Sequence, residues 1–384
     1  MPHFDTSLVH LGRDSGTAAQ VVNPPLVRAS TVTFDSLAAY RQSYHQPVFD
    51  VLRYGRSGTS TTFELQRAMA GLEGAECCLA MPSGLAAIGA VLAAHAGPGS
   101  HLLVSQGVYG PTRVFCETEL AASGATVEFF APEADLSALI RPETRLVFIE
   151  TPASLTMEML DVRAVCAAAH ARGVPVAADS TWGTPVFFRA HELGIDLSIH
   201  AATKFINGHS DVMLGVVTGS RAHMAPVRGL CDRRGLHAAP DACWLALRGL
   251  RTLGVRVRRH QATALQVAGF LQGLPQVLRV LFPALPSDPG HALWRAQFSG
   301  AAGPFTIELA SCTEAEFARF IDSLALFKLG PSWGGFESLV LPAVPYALRT
   351  LKVMPDEGRM VRLHVGLEDG QDLCDDLAQA FAAM

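Results

Sequence analysis

From Gly71 onward, short apolar runs alternate with stretches long enough for helices. Cys77 to Met81, His101 to Ser105, Thr126 to Phe130, Leu146 to Glu150, Val174 to Asp179 and Val212 to Thr218 read as strands. Between them, Leu85 to His95, Pro111 to Ser123, Val162 to Arg172 and Ala190 to Leu193 supply helices. Continuous apolar runs are what strands need when both faces of their sheet are covered, so the pattern predicts a mainly parallel sheet between helical layers.

A second unit follows near a long helical stretch, Asp241 to Gly273, which the glycines at 249 and 254 interrupt. After it come strands at Val277 to Phe282 and Phe305 to Leu309, a helix at Glu314 to Leu324, and short strands at Leu326 to Leu329, Leu339 to Leu341 and Val361 to Val365. A final helix runs from Gln371 to Ala383. Residues 1–53 show weak periodicity, with a break at Asn23-Pro24-Pro25 and aromatics (Phe34, Tyr40, Tyr44, Phe49) that an isolated arm exposes. The expected organisation is an arm over 1–53 lying against its own body or a neighbouring subunit, a large domain over 54–250 and a smaller α+β domain over 251–384.

Composition narrows the function. The chain has 384 residues, 49% hydrophobic and 17% charged, which excludes disorder and pure coiled coil as descriptions of the whole. A formal net charge of −5 spread over dispersed side chains offers no field for a polyanion, so no nucleic-acid partner is expected. The local cluster Arg248, Arg251, Arg256, Arg258 and Arg259 reads as a solvated or intersubunit helix face. Eight cysteines show no CxxC or repeated short spacing, which argues against a thiolate metal site and for a reducing compartment. The longest apolar stretch, Leu85 to Ala96, is too short to span a membrane, so a cytoplasmic protein is expected.

Open parallel sheets bind ligands beyond the carboxyl ends of their strands. Pro82-Ser83-Gly84 ends one run and opens a helix, where a capping serine, a glycine and free first-turn amides suit phosphate; an ordinary capped helix fits that segment alone equally well. Asp179 and Lys204 follow two further apolar stretches. They fit either a structural pair or an acid and an amine gripping different ends of one cofactor.

The segment Thr203-Lys204-Phe205-Ile206-Asn207-Gly208-His209-Ser210-Asp211 resembles the lysine motif of the Cys/Met-metabolism family of pyridoxal-phosphate (PLP) enzymes. The resemblance extends in order through Tyr54-Gly55-Arg56, Ser83-Gly84-Leu85, Tyr109-Gly110, Asp179-Ser180-Thr181, Ser332 to Ser338 and Arg362 to Glu368, and covers nearly the whole chain. It implies the α/β fold type I architecture of aspartate aminotransferase: a large, mainly parallel sheet domain with a smaller C-terminal α+β domain.

The resemblance also implies roles. Lys204 is the amine that condenses with the cofactor aldehyde and later moves protons, and Asp179 is the carboxylate that keeps the pyridine nitrogen protonated. Tyr109 lies over the ring; Ser83, Gly84, Leu85 and Thr203 form the phosphate end. Ala202 stands where relatives place a serine. Tyr54 and Arg56 reach the phosphate of a neighbouring subunit, in a homotetramer built from dimers with shared active sites. Arg362 binds the substrate α-carboxylate, and Ser332 and Trp333 adjoin the substrate. His209 and His364 are expected to be structural, and no metal is required.

Ser332-Trp333-Gly334-Gly335-Phe336-Glu337-Ser338-Leu339 and Ser154-Leu155 resemble the form in bacterial members that cleave L-cystathionine at the β carbon. The implied reaction is β-elimination from a small sulfur amino acid. Alternatives are a broad cysteine-conjugate β-lyase or cysteine desulfhydrase, a γ-acting member, or a cofactor-binding regulatory protein without turnover.

Overall fold

The computed structural model describes residues 3–13, 21–45, 49, 51–343 and 359–384. Seven strands form the first sheet: β1 (Cys77–Met81), β2 (His101–Ser105), β3 (Thr126–Phe130), β4 (Thr144–Glu150), β5 (Val176–Asp179), β6 (Leu197–Ala201) and β7 (Gly215–Gly219). Their spatial order is β1-β7-β6-β5-β4-β2-β3, parallel throughout except for β7, which runs antiparallel to both its neighbours. Alternate strand residues feed two apolar cores. Val176 and Ala178 face one core, with the helices Ser60–Glu73 and Pro240–Gln272; Ala177, Leu197 and Ile199 face the other, with the helix Gly84–His95.

The second sheet contains β8 (Val277–Leu281), β9 (Pro304–Leu309), β10 (Lys328–Leu329), β11 (Leu339–Ala343) and β12 (Met360–His364), in the order β10-β11-β12-β9-β8. Its buried residues continue the first of the two cores, through Phe305, Ile307, Val361 and Leu363.

The expected helix interruption does not occur. Pro240–Gln272 is one helix of 33 residues, and its glycines serve packing. A Cβ on Gly249 would lie 2.3 Å from the Asn207 carbonyl oxygen, so the helix rests directly on the loop that carries Lys204. The arginine cluster departs from expectation in part: Arg248, Arg258 and Arg259 are exposed, as a solvated face requires, whereas Arg251 and Arg256 are not. Arg251 donates to the carbonyls of Leu8 (3.0 Å), Leu11 (2.6 Å) and Gly12 (3.1 Å), satisfying the free carbonyls at the end of the helix Phe4–His10, and Arg258 pairs with Asp5. Arg256 is buried and donates to the Gly208 carbonyl. Arg251, Arg256 and Arg258 therefore bind the chain's own N-terminal helix and lysine loop, and Arg259 donates to the Glu368 carbonyl.

Candidate active site

The carboxyl ends of β4, β5 and β6 open into a cavity of about 360 Å3. Its walls include Ser83, Gly84, Leu85, Tyr109, Asp179, Thr203, Lys204, Ser332, Trp333 and Arg362, ten of the expected site residues drawn from both sheets.

Asp179 is the last residue of β5. Its Oδ1 accepts the Thr181 backbone N–H at 3.0 Å and the Thr181 hydroxyl at 2.5 Å; no hydrogen bond from the described residues reaches Oδ2. Thr181 Oγ1 in turn accepts the Ala201 N–H at 2.8 Å, which ties the β5 end to β6. Burial raises the Asp179 pKa, against the lowering pull of the Thr181 hydrogen bonds and the His200 and Lys204 charges. Asp179 and Lys204 form no ion pair.

Lys204 stands in the connection from β6 to the antiparallel β7. Its Nζ donates to Ser332 Oγ at 2.8 Å and lies 5.3 Å from the Trp333 ring centre. Burial, then the like charge of Arg362, lowers its pKa to about 8, with Asp179 opposing. Of the other lysines, Lys328 is exposed on β10 and Lys352 lies outside the described residues.

Arg362, on β12, donates to the Ser332 carbonyl at 3.0 Å. Burial lowers its pKa to about 10, and none of the described carboxylates pairs with it. Tyr109 is half-exposed at the cavity, and its N–H donates to Glu150 Oε2 at 2.6 Å. Burial first, then Glu150, raises the phenol pKa.

At the other end, Ser83 caps the helix Gly84–His95 by accepting the Ala86 N–H at 3.0 Å. A Cβ on Gly84 would lie 2.6 Å from Ala201 Cβ, so only glycine lets this helix start meet β6. The Thr203 hydroxyl donates to the Leu214 carbonyl at 3.1 Å and accepts the Leu214 N–H at 2.9 Å, clipping the lysine loop closed. Ala202 is fully buried in the apolar core and does not line the cavity; Ala201 does.

Tyr54 and Arg56 are not brought to this cavity. Tyr54 is exposed, and Arg56 donates to the Asp232 carbonyl at 3.1 Å beside a separate small cavity that Arg228 also lines. Sequence reasoning passed over Glu150, a carboxylate at the end of β4 that enters the cavity. Its position at a strand end was the available signal.

The donor set matches PLP. A half-buried carboxylate, one of whose oxygens accepts no hydrogen bond from the described residues, suits a protonated ring nitrogen, an amine with a lowered pKa suits an aldehyde, and a serine-capped helix start suits phosphate. These features define a PLP-dependent enzyme of fold type I. The chain belongs to the Cys/Met metabolism PLP-dependent enzyme family, whose sequence pattern matches residues 5–382. A putative cystathionine beta-lyase of Rhizobium johnstonii is 43% identical, over 99% of this chain and 96% of that protein. A cystathionine beta-lyase of Bordetella avium is also 43% identical, over 98% and 97%. A cystathionine gamma-lyase of Macaca fascicularis is 37% identical, over 99% and 94%.

Proposed function

We propose that this enzyme eliminates the β substituent of L-cystathionine, giving homocysteine and aminoacrylate, which water hydrolyses to pyruvate and ammonia. The observation that carries the reading is the convergence of an amine and a guanidinium on one residue: Lys204 Nζ on the Ser332 hydroxyl, Arg362 on the Ser332 carbonyl. A proton acceptor and a carboxylate anchor thus share one wall of the cavity, and the relatives named cystathionine beta-lyase support the substrate.

When bound, PLP supplies an aldehyde for the substrate amine and a protonated ring that accepts electrons from the α carbon. Asp179, through Oδ2, would keep a proton on the ring nitrogen, and Ser83, Gly84, Leu85 and Thr203 would hold the phosphate. Arg362 orients the substrate carboxylate with its planar fork. Lys204 Nζ, uncharged, takes the α proton and can return one to the departing sulfur. Tyr109, half-exposed in the cavity wall, would lie against the bound cofactor. Trp333, beside Nζ, bounds the space for the sulfur substituent.

Product analysis tests this. Incubation of the PLP-loaded protein with L-cystathionine yields homocysteine and pyruvate, because β-elimination leaves the four-carbon half on sulfur. Cysteine with 2-oxobutyrate overturns the β assignment in favour of γ-elimination. Pyruvate from cysteine or another conjugate, with cystathionine inert, retains the chemistry and replaces the substrate.

We further propose that the 1–53 arm carries Tyr54 and Arg56 toward the phosphate of a neighbouring subunit, in a cytoplasmic homotetramer of dimers. Both residues stand away from their own cavity, and the arm exposes Val21, Val22, Leu37, Tyr40 and Tyr44. No disulfide joins any two of the eight cysteines, which fits a reducing compartment, and among the described residues no helix is long and apolar enough to cross a membrane. Mixing inactive Arg56→Ala with inactive Lys204→Ala subunits restores activity in hybrids, since one site of each mixed dimer regains both residues. Demonstrated hybrids without recovery refute the donation.

A further inference from the structure

Gly334 has φ +88°, and a Cβ there would lie 2.7 Å from the Phe205 nitrogen and 3.0 Å from Lys204 Cα. The turn that carries Trp333 is therefore pressed against the backbone of the lysine itself. Its inward N–H needs an acceptor, and His364 Nε2 stands 3.0 Å away. The Gly335 carbonyl lies 3.4 Å from the same nitrogen, a poorer distance, so Nε2 accepts and the ring proton resides on Nδ1. His364 is completely buried, and no hydrogen-bond partner among the described residues reaches Nδ1. An aliphatic side chain would fill the space without that unsatisfied group, so the imidazole's particular contribution here is the acceptor.

The rings form one packed group. Phe205 lies 5.5 Å from Trp333 and 6.0 Å from His364, and His260 lies 5.4 Å from His364. Burial first, then His260, Arg362 and Lys204, holds the His364 pKa well below its ordinary value, despite a raising pull from the Gly335 carbonyl. The ring stays neutral and remains an acceptor.

We infer that His364 is a positioning residue: it fixes the Gly334 turn against Lys204 and thereby places Trp333 where it selects the sulfur substituent. The selection rests on the reading of Trp333 given above. Displacing the turn alters the room beside Nζ for a long substituent more than for a thiol alone.

Two readouts test this. His364→Leu removes the acceptor and His364→Gln restores one; should His364→Leu not fold, His364→Met serves in its place. In cofactor-free protein, hydrogen exchange at the Gly334 amide speeds by about tenfold in His364→Leu, the size of effect one lost hydrogen bond gives, and stays near wild type in His364→Gln. With PLP bound, the kcat/KM ratio for L-cystathionine over L-cysteine shifts in His364→Leu, mainly through KM, and recovers in His364→Gln. Adding His364→Leu to Trp333→Ala shifts the ratio no further. Unchanged exchange in His364→Leu overturns the positioning. If Trp333→Ala moves the ratio and His364→Leu does not, the inference fails while the reading of Trp333 stands. If Trp333→Ala leaves the ratio unchanged, the reading of Trp333 fails and takes the selective role of His364 with it.

Discussion

Lys204→Ala will abolish turnover while the protein still takes up PLP. The lost proton transfer alone is worth about 10^2- to 10^4-fold, and the covalent attachment is lost with it. The phosphate end proposed at Ser83, Gly84 and Leu85 does not involve Lys204, so cofactor uptake is expected to persist in the variant. In wild type, borohydride reduction and peptide mapping place the pyridoxyl mass on Lys204; label on Lys328 or Lys352 overturns the assignment. Only the uncharged amine attacks an aldehyde. With the Lys204 pKa lowered to about 8, mainly by burial, capture of PLP by cofactor-free protein rises with pH below that value and levels off above it. A rate that keeps climbing toward the ordinary lysine range, about 10.4, would show an unperturbed amine at work.

How far the chain revealed this in advance depended on where polar groups lie. β4 and β5 were legible as near-continuous apolar runs because both their faces are covered. β6 was legible only at its end, in the apolar stretch before Lys204, because Ser198 and His200 interrupt Leu197–Ala201. In the fold these two are buried: Ser198 bonds to the Ser180 hydroxyl at 2.9 Å, and His200 Nε2 stands 3.2 Å from Glu73 Oε1. Their partners sit just past the end of β5 and on a distant helix, where no local pattern reaches. The helix Ser60–Glu73 was hidden for the same reason, since it buries Thr61, Thr62, Glu64, Gln66 and Glu73 together with its apolar residues and offers no clean stripe.

The site was more legible than the fold around it. Asp179 and Ser83 follow apolar runs directly, and sheet geometry sends strand ends to the ligand. The residues supplied by the second sheet were legible only through the family resemblance, because nothing local in Ser332, Trp333 or Arg362 announces that β12 packs beside the lysine loop. The link between Thr203 and Leu214 is a product of the antiparallel turn into β7, a reversal that the apolar pattern left undetermined.

Arg362→Ala is expected to reduce kcat/KM for cystathionine by about 2 to 5 kcal/mol, roughly 30- to 5,000-fold, with PLP uptake little changed. Arg362 carries an unbalanced charge. Arg362 is buried, and of the described residues neither Asp179 nor any other carboxylate forms an ion pair with it. Its hydrogen bond to the Ser332 carbonyl fixes the guanidinium without neutralising it. Burying a lone cation is costly, and the depression of its pKa to about 10 expresses that cost. A substrate carboxylate entering the cavity supplies the missing charge in a geometry the planar fork can hold at two points. Arg362→Lys retains the charge without the fork, so it should recover only part of the loss. Unchanged kcat/KM in Arg362→Ala would remove this residue from the site and leave the substrate carboxylate to another donor.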